Sequence, residues 1–333
     1  MDDIITLSHG AGGKHTQQLI EEVFVKAFES SFLTRDDAAV FDIKGGRVAM
    51  TTDAFVVSPP FFSGGDIGKL SICGTVNDLA CMGARPLYLT CSFIIEEGFK
   101  TEDLKKIAFS MADTAKESGA HIVAGDTKVT AKGQCDGIFI TTSGIGSIDG
   151  ARLSGSFAQD GDAIIVTGDI GRHGCAILLS RDDYGISADI SSDCAPLWGL
   201  TSEMLAVSDK LHVIRDATRG GVGTVLYEIA HQSSVCIELT QEALPVDDNV
   251  KGVCGLLGLE PLYMACEGRL VVFVSQDDAQ AVLHAAKGNK YGKAAAIIGR
   301  VTSEQPGSVI VNTSIGGRRL LAQPSGELLP RIC

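Results

Sequence analysis

The chain has 333 residues, 45% hydrophobic and 21% charged, enough for two domains with real cores. Its formal net charge of −13 excludes a nucleic-acid footprint or an affinity for anionic membrane, both of which need clustered Lys and Arg. The same charge repels phosphate unless a divalent cation stands between them.

MDDIITLSHG at the start lacks the basic and long apolar regions of a signal peptide, and no apolar run is long enough to span a bilayer. The ten cysteines include no C-x-x-C pair. A cytoplasmic, reducing setting is therefore expected, with Cys73, Cys91, Cys175 and Cys236 as small buried hydrophobes.

In chain order, KHTQQLIEEVFVKAFES carries Leu19, Ile20, Val23, Phe24, Ala27 and Phe28 at the spacing of one helix face. Two strands follow, joined by a Gly45–Gly46 turn. IGKLSICGTVNDLACMG predicts a helix stopped by Gly83 and Pro86. PLYLTCSFII is a strand, TEDLKKIAFSMADTAKESG an amphipathic helix with a Thr101 cap, HIVAG another strand, and DGIFITTSGIGSI closes the unit. This predicts a mixed α+β domain over residues 1–150 and an α/β domain over 151–322. The last residues, 323–333, read as a mobile tail ending in Cys333, able to span on the order of 30–40 Å when extended. The few strands of the first domain leave a sheet edge open, which predicts a homodimer.

Glycines collect ahead of helices. SHGAGGKH (Gly10, Gly12, Gly13) and FFSGGDIGKL (Gly64, Gly65, with Lys69 after them) offer bare amides and a positive helix end, which suits phosphate. Neither is a Walker A loop: Ser8 and Ser63 stand where the leading glycine belongs, and His15 and Leu70 stand where Ser or Thr should follow. GDIGRHG likewise fails the G-x-G-x-x-G pattern. Asp36, Asp37, Asp53, Asp78 and Asp126 each stand at or near the end of an apolar segment, where carboxylates can converge on a cleft. Such a set repels itself unless hard cations hold it, so with the glycine loops it points to a magnesium–nucleotide site. Lys128 follows Asp126 by two residues, Glu267 ends an apolar stretch, and Asp216 and Arg219 open a glycine-rich helix start that could contact a second anion.

HGAGGK, DDAAV, TTDAFVVSPPFFSGGDIGKL, GTVNDLACMGARP, GDTKV, RDATRGG and the terminal PRIC together resemble the HypE family of NiFe-hydrogenase maturation factors, in order and over essentially the whole chain. The internal motifs are shared with aminoimidazole ribonucleotide synthetase, thiamine monophosphate kinase and selenide water dikinase. Cys266, just before Glu267, has no place in the family pattern.

The resemblance implies a fold and a cofactor. Two domains are expected, with the N-terminal domains of two subunits pairing into a β-barrel and a sandwich-like C-terminal domain. ATP would lie between the domains, with Mg²⁺ on Asp37, Asp53, Asp78 and Asp126. It implies a reaction as well: ATP-dependent dehydration of a carbamoyl group on Cys333 to a thiocyanate. A HypF-family carbamoyltransferase would load the cysteine, and a HypC–HypD scaffold would receive the cyanide on iron. Arg331 could stabilise the thiolate, and Lys128 and Glu267 are the candidate proton acceptors. A small-molecule kinase or dikinase, which would not need Cys333, and a non-catalytic ATP-binding scaffold are the alternatives.

Overall fold

The computed structural model describes residues 5–10, 13–28, 34–150, 152–181 and 184–322. Gly12 and the expected tail, with Arg331 and Cys333, lie outside the described residues. The first helical region is α1 (Lys14–Leu19), a π-helical stretch (Ile20–Val25) and α2 (Lys26–Phe28). Its apolar residues Ile20, Val23 and Phe24 remain exposed in the single chain.

β1 (Ala39–Ile43) and β2 (Gly46–Phe55) form the expected hairpin, shifted by one residue. Ile43 pairs with Gly46, so the turn is Lys44–Gly45, and Gly45 supplies the left-handed φ of +103° that it requires. A short ribbon, β3 (Phe61–Phe62) and β4 (Gly65–Asp66), leads into α3 (Ile67–Cys81). Asp66 caps α3 by accepting from the Gly68 and Lys69 amides at 2.7 and 3.1 Å. β5 (Arg85–Glu96), α4 (Thr101–Ser118), β6 (His121–Thr130) and β7 (Ile138–Ile148) complete the domain. Lys100, not Thr101, is the cap position of α4, and it makes no side-chain capping bond.

The sheet order is β1-β2-β7-β5-β6, with β5 and β6 parallel because α4 crosses between them. α3 and α4 cover one face: Ile107, Met111 and Ala115 repeat every four residues on α4 and pack with Ile72, Cys73 and Val76 of α3. The other face is open and carries the exposed Met50, Tyr88 and Ile94. Among the described residues this sheet is not a closed barrel; β1 and β6 are its edges.

The second domain is built on a seven-stranded sheet in the order β14-β13-β10-β12-β8-β11-β9. Its strands are β8 (Ala163–Val166), β9 (Leu211–Asp216), β10 (Cys236–Thr240), β11 (Leu270–Val274), β12 (Ala296–Thr302), β13 (Val309–Asn312) and β14 (Arg318–Leu320). The helices are α5 (Arg172–Ser180), α6 (Trp198–Leu205), α7 (Gly221–Gln232), α8 (Asp248–Leu257) and α9 (Ala279–Gly288). Both faces of the sheet are buried. Ile164, Val166, Val271 and Phe273 pack on the α7 side, while Ala163, Ile165, Val272 and Val274 pack with α6 and α9. That alternation explains why β8 and β11 read as continuous apolar runs.

α3 joins the domains. It is buried on nearly every side, and the Asn77 side chain brackets the second domain's backbone, donating to the Ala195 carbonyl at 3.0 Å and accepting from the Leu197 amide at 2.8 Å. Replacing Asn77 with Ala strands both backbone groups. Denaturant unfolding should show a loss of about 2–4 kcal/mol, the cost of two buried polar groups left unpaired; an unchanged midpoint would refute the bracket.

Candidate active site

The acidic residues converge where α3 meets the edge strand β9. Asp37 precedes β1, Asp53 lies on β2, Asp78 is in the last turn of α3, and Asp216 ends β9. Asp37 Oδ1 pairs with Arg215 Nε at 2.6 Å, whereas its Oδ2 is buried with no hydrogen-bond partner. Arg215 Nη2 reaches Glu228 Oε2 at 3.3 Å, and Glu228 Oε1 accepts from Gln17 Nε2 at 3.3 Å, which ties the N-terminal helix to the cluster. The Thr51 hydroxyl donates to Asp78 Oδ2 at 2.7 Å. Helix and strand come this close because residue 74 is glycine: a Cβ there would stand 2.8 Å from the Phe55 ring and 3.2 Å from Asp53 Oδ2.

Burial and mutual repulsion oppose ionisation here. Burial pushes the Asp37 carboxyl up to about 6 despite Arg215, and it pushes Asp216 up to about 8, with Asp37 adding to the rise. Burial also raises Asp78, helped by Asp53, Asp216 and Asp37, and raises Asp53 against the pull of Arg219. Glu267, which feels the charges of Asp216 and Asp53, is raised well above the carboxylate range, first by burial and then by Cys194, Asp216 and Asp193. Its backbone is held by Asp193, whose two oxygens accept from the Glu267 and Gly268 amides at 3.2 Å each. The four carboxylates, with one buried oxygen short of a hydrogen bond, fit a hard divalent cation, which would replace the missing positive charge.

The predicted residues do not all meet. Asp37, Asp53, Asp78, Asp216 and Glu267 come together. Asp36 turns away: its carboxylate accepts from Ser154 Oγ and the Gly155 amide, both at 2.8 Å, and pins the inter-domain segment. Asp126 and Lys128 pair with each other at 2.7 Å on the exposed strand β6. Strand register puts Asp126 beside Ser92 and Thr141, on the open face, three strands from Asp53. At strand spacing that is about 14 Å away, with the sheet between.

Gly64 takes φ +91° and lies so close to Ser192 that a Cβ would stand 2.7 Å from its backbone, while Lys69 Nζ donates to the Gly64 carbonyl at 3.1 Å. This second glycine loop therefore packs directly on the segment at Ser191 and Ser192, whose Ser192 amide donates to the Ser63 carbonyl at 2.8 Å. Gly10 and Gly13 flank the start of α1, beside the Gln17–Glu228 contact.

Sequence reasoning missed Arg215, Glu228, Asp193, Asn77 and Thr51. Arg215 directly precedes the recognised Asp216 and is the one with a readable signal: a charged residue inside an apolar strand. Cys91 is only half-buried, unlike the core cysteine expected. Cys266 is a core residue whose sulfur accepts from the Gly171 amide at 3.2 Å, at the start of α5. GDIGRHG holds no nucleotide fingerprint, since Asp169 is taken by Arg172 and by Arg269 at 2.7 Å.

The raised carboxyls fix a pH dependence. A carboxyl whose pKa is higher folded than unfolded binds more protons in the native state, so stability falls as pH rises from about 4 toward about 8. Thermal unfolding without metal should lose midpoint temperature across that window. Millimolar Mg²⁺ should restore most at the alkaline end; a flat profile would contradict the cluster's strain.

Residues 35–148 match the family of AIR synthase related protein, N-terminal domain, and residues 159–312 match the corresponding C-terminal domain. The chain is 49% identical over 332 residues to carbamoyl dehydratase HypE of Cupriavidus necator, covering 99% of this chain and 95% of that one. It is 44% identical to carbamoyl dehydratase HypE of Escherichia coli, covering 99% of both. A solved HypE–HypF complex contains a chain superposing with a TM-score of 0.87 at 48% identity, over 92% of this chain and 99% of that chain. A HypE structure in complex with ATP gives 0.83 at 42% identity, over 99% and 100%. With both domains matched in order and identity sustained end to end, this chain belongs to the HypE carbamoyl dehydratase family of the AIR synthase superfamily.

Proposed function

We propose that the chain dehydrates an S-carbamoyl group on its own Cys333 to a thiocyanate at the expense of ATP. The observation that supports this most is the buried carboxylate cluster with its unpartnered oxygen, taken together with a relative of 42% identity that was solved in complex with ATP. Asp37, Asp53, Asp78 and Asp216 would hold Mg²⁺ and through it the phosphates; Asp216 thus moves from nucleotide contact to metal ligand. The ion supplies neutralisation of phosphate charge. Gly64, Gly65, Lys69, Gly10, Gly12 and Gly13 are the candidate phosphate contacts.

The carbamoyl oxygen attacks the γ-phosphorus, the bond to ADP breaks, and one N–H proton leaves. The second N–H proton then leaves as the carbon–oxygen bond to phosphate breaks, giving S–C≡N. Glu267 is the reading's proton acceptor within the cleft. Compensation of Asp216 and Asp53 by a cation removes two of the charges that keep its carboxyl protonated.

The expected partners extend this reading. A HypF-family protein loads Cys333, in keeping with the solved HypE–HypF complex, and a HypC–HypD scaffold accepts the cyano group. A second copy is proposed to cover the open sheet face, where Met50, Tyr88 and Ile94 are exposed and β6 leaves its outer edge free. Asp126 and Lys128 lie on that face, so each would serve the partner's cleft and not its own.

Two measurements test this. Intact-protein mass spectrometry after incubation with a HypF-family carbamoyltransferase, carbamoyl phosphate and MgATP should show a carbamoyl adduct that loses one water. The adduct should be absent from Cys333→Ala; an unmodified Cys333 in an active mixture would sink the proposal. Co-expressed Lys128→Ala and Glu267→Gln chains, each inactive alone, should recover about a quarter of wild-type turnover in mixed dimers, since half the dimers are mixed and each carries one intact site. No recovery would place both residues in one chain's site.

A further inference from the structure

One corner of the cluster differs from the rest. Cys81, the last residue of α3, is fully buried, and its sulfur lies within 4.8 Å of carboxylate oxygens of both Asp37 and Asp216. Those two oxygens are as close to each other. A magnesium site has no use for sulfur, because a hard cation selects oxygen; a thiolate beside two carboxylates selects the zinc, cobalt or cadmium class.

We propose that Asp37, Cys81 and Asp216 form a subsite for a thiophilic divalent cation. The second observation behind it is Asp37 itself. Its side chain is only 6% exposed, Oδ1 is occupied by Arg215, and the other donor facing the carboxylate is the Cys81 thiol itself, so the buried Oδ2 is free to ligate once that thiol has lost its proton. Charge also closes. The thiol proton and any proton still held by Asp216 or Asp37 leave to solvent as the metal bonds form, and two carboxylates, one thiolate, the neighbouring Arg215 guanidinium and a dication then sum to zero.

Geometry permits it as well. Metal–ligand bonds of roughly 2.0–2.3 Å put tetrahedral ligand atoms roughly 3.5 Å apart, so closure needs movements of about 1 Å from the present spacing. The subsite stands on these residues alone and holds whether or not the chain acts on a carbamoyl group. Its consequence is metal selectivity: a thiophilic ion seated on Asp37 and Asp216 occupies oxygens that a hard cation would share.

The test is titration of the reduced full chain, without ATP, with cobalt(II) chloride while following near-ultraviolet sulfur-to-cobalt charge-transfer absorption. Among the described residues, one rival thiol site is the Cys175–Cys254 pair, whose sulfurs are 3.9 Å apart, and another is the Cys73–Cys194 pair. A saturable band at one equivalent per chain is expected. It should vanish in Cys81→Ala and Cys81→Ser, weaken at least tenfold in apparent affinity in Asp216→Asn, and persist in the Cys175→Ala, Cys254→Ala double variant and likewise in Cys73→Ala. Circular dichroism without metal checks that the variants fold. A band unchanged in a folded Cys81 variant, a band lost in the double variant or in Cys73→Ala, or no band in the wild type overturns the proposal.

Discussion

The repulsion among Asp37, Asp53, Asp78 and Asp216 is the constraint on which the rest depends. Water would screen these charges at a surface, but here they are buried, and Arg215 is the cation that contacts Asp37 directly. One guanidinium cannot balance them, so the resting protein keeps some of the carboxyls protonated. A dication placed among these carboxylates would relieve that repulsion.

The two domains are what hold the charges in place. α3 carries Asp78 and Cys81 from the first domain and lies against β9, which carries Arg215 and Asp216 from the second. Asn77, one residue before Asp78, adds a second tie between the domains through its side-chain bonds to the Ala195 carbonyl and the Leu197 amide. A helix buried all round is costly to place on a surface, and here it becomes the shared wall of both domains. Domain docking and site assembly are consequently one event, and within the first domain Gly74 sets how closely α3 approaches β2.

Much of this was legible in the sequence because it rests on local pattern. The α4 face, the hairpin ahead of β2 and the two-domain division followed from apolar period and glycine placement. Asp37, Asp53 and Asp78 were found because carboxylates at element ends are conspicuous. What period could not show was direction. Asp36 and Asp37 are adjacent, yet one pins Ser154 and Gly155 while the other enters the cluster. Asp126 looked equivalent to Asp53, but strand register puts it on the opposite face of the sheet. Asp193 lies in an irregular segment without period, so its hold on the Glu267 and Gly268 amides left no trace in the pattern.

The central claim is that a dication enters a site whose carboxyls are partly protonated. Calorimetric titration of MgATP into the protein near neutral pH, repeated in buffers of different ionisation enthalpy, counts the protons exchanged on binding. The account predicts net proton release as Asp37 and Asp216 ionise against the incoming cation, and a smaller release in Asp216→Asn. Binding without any proton release would contradict it.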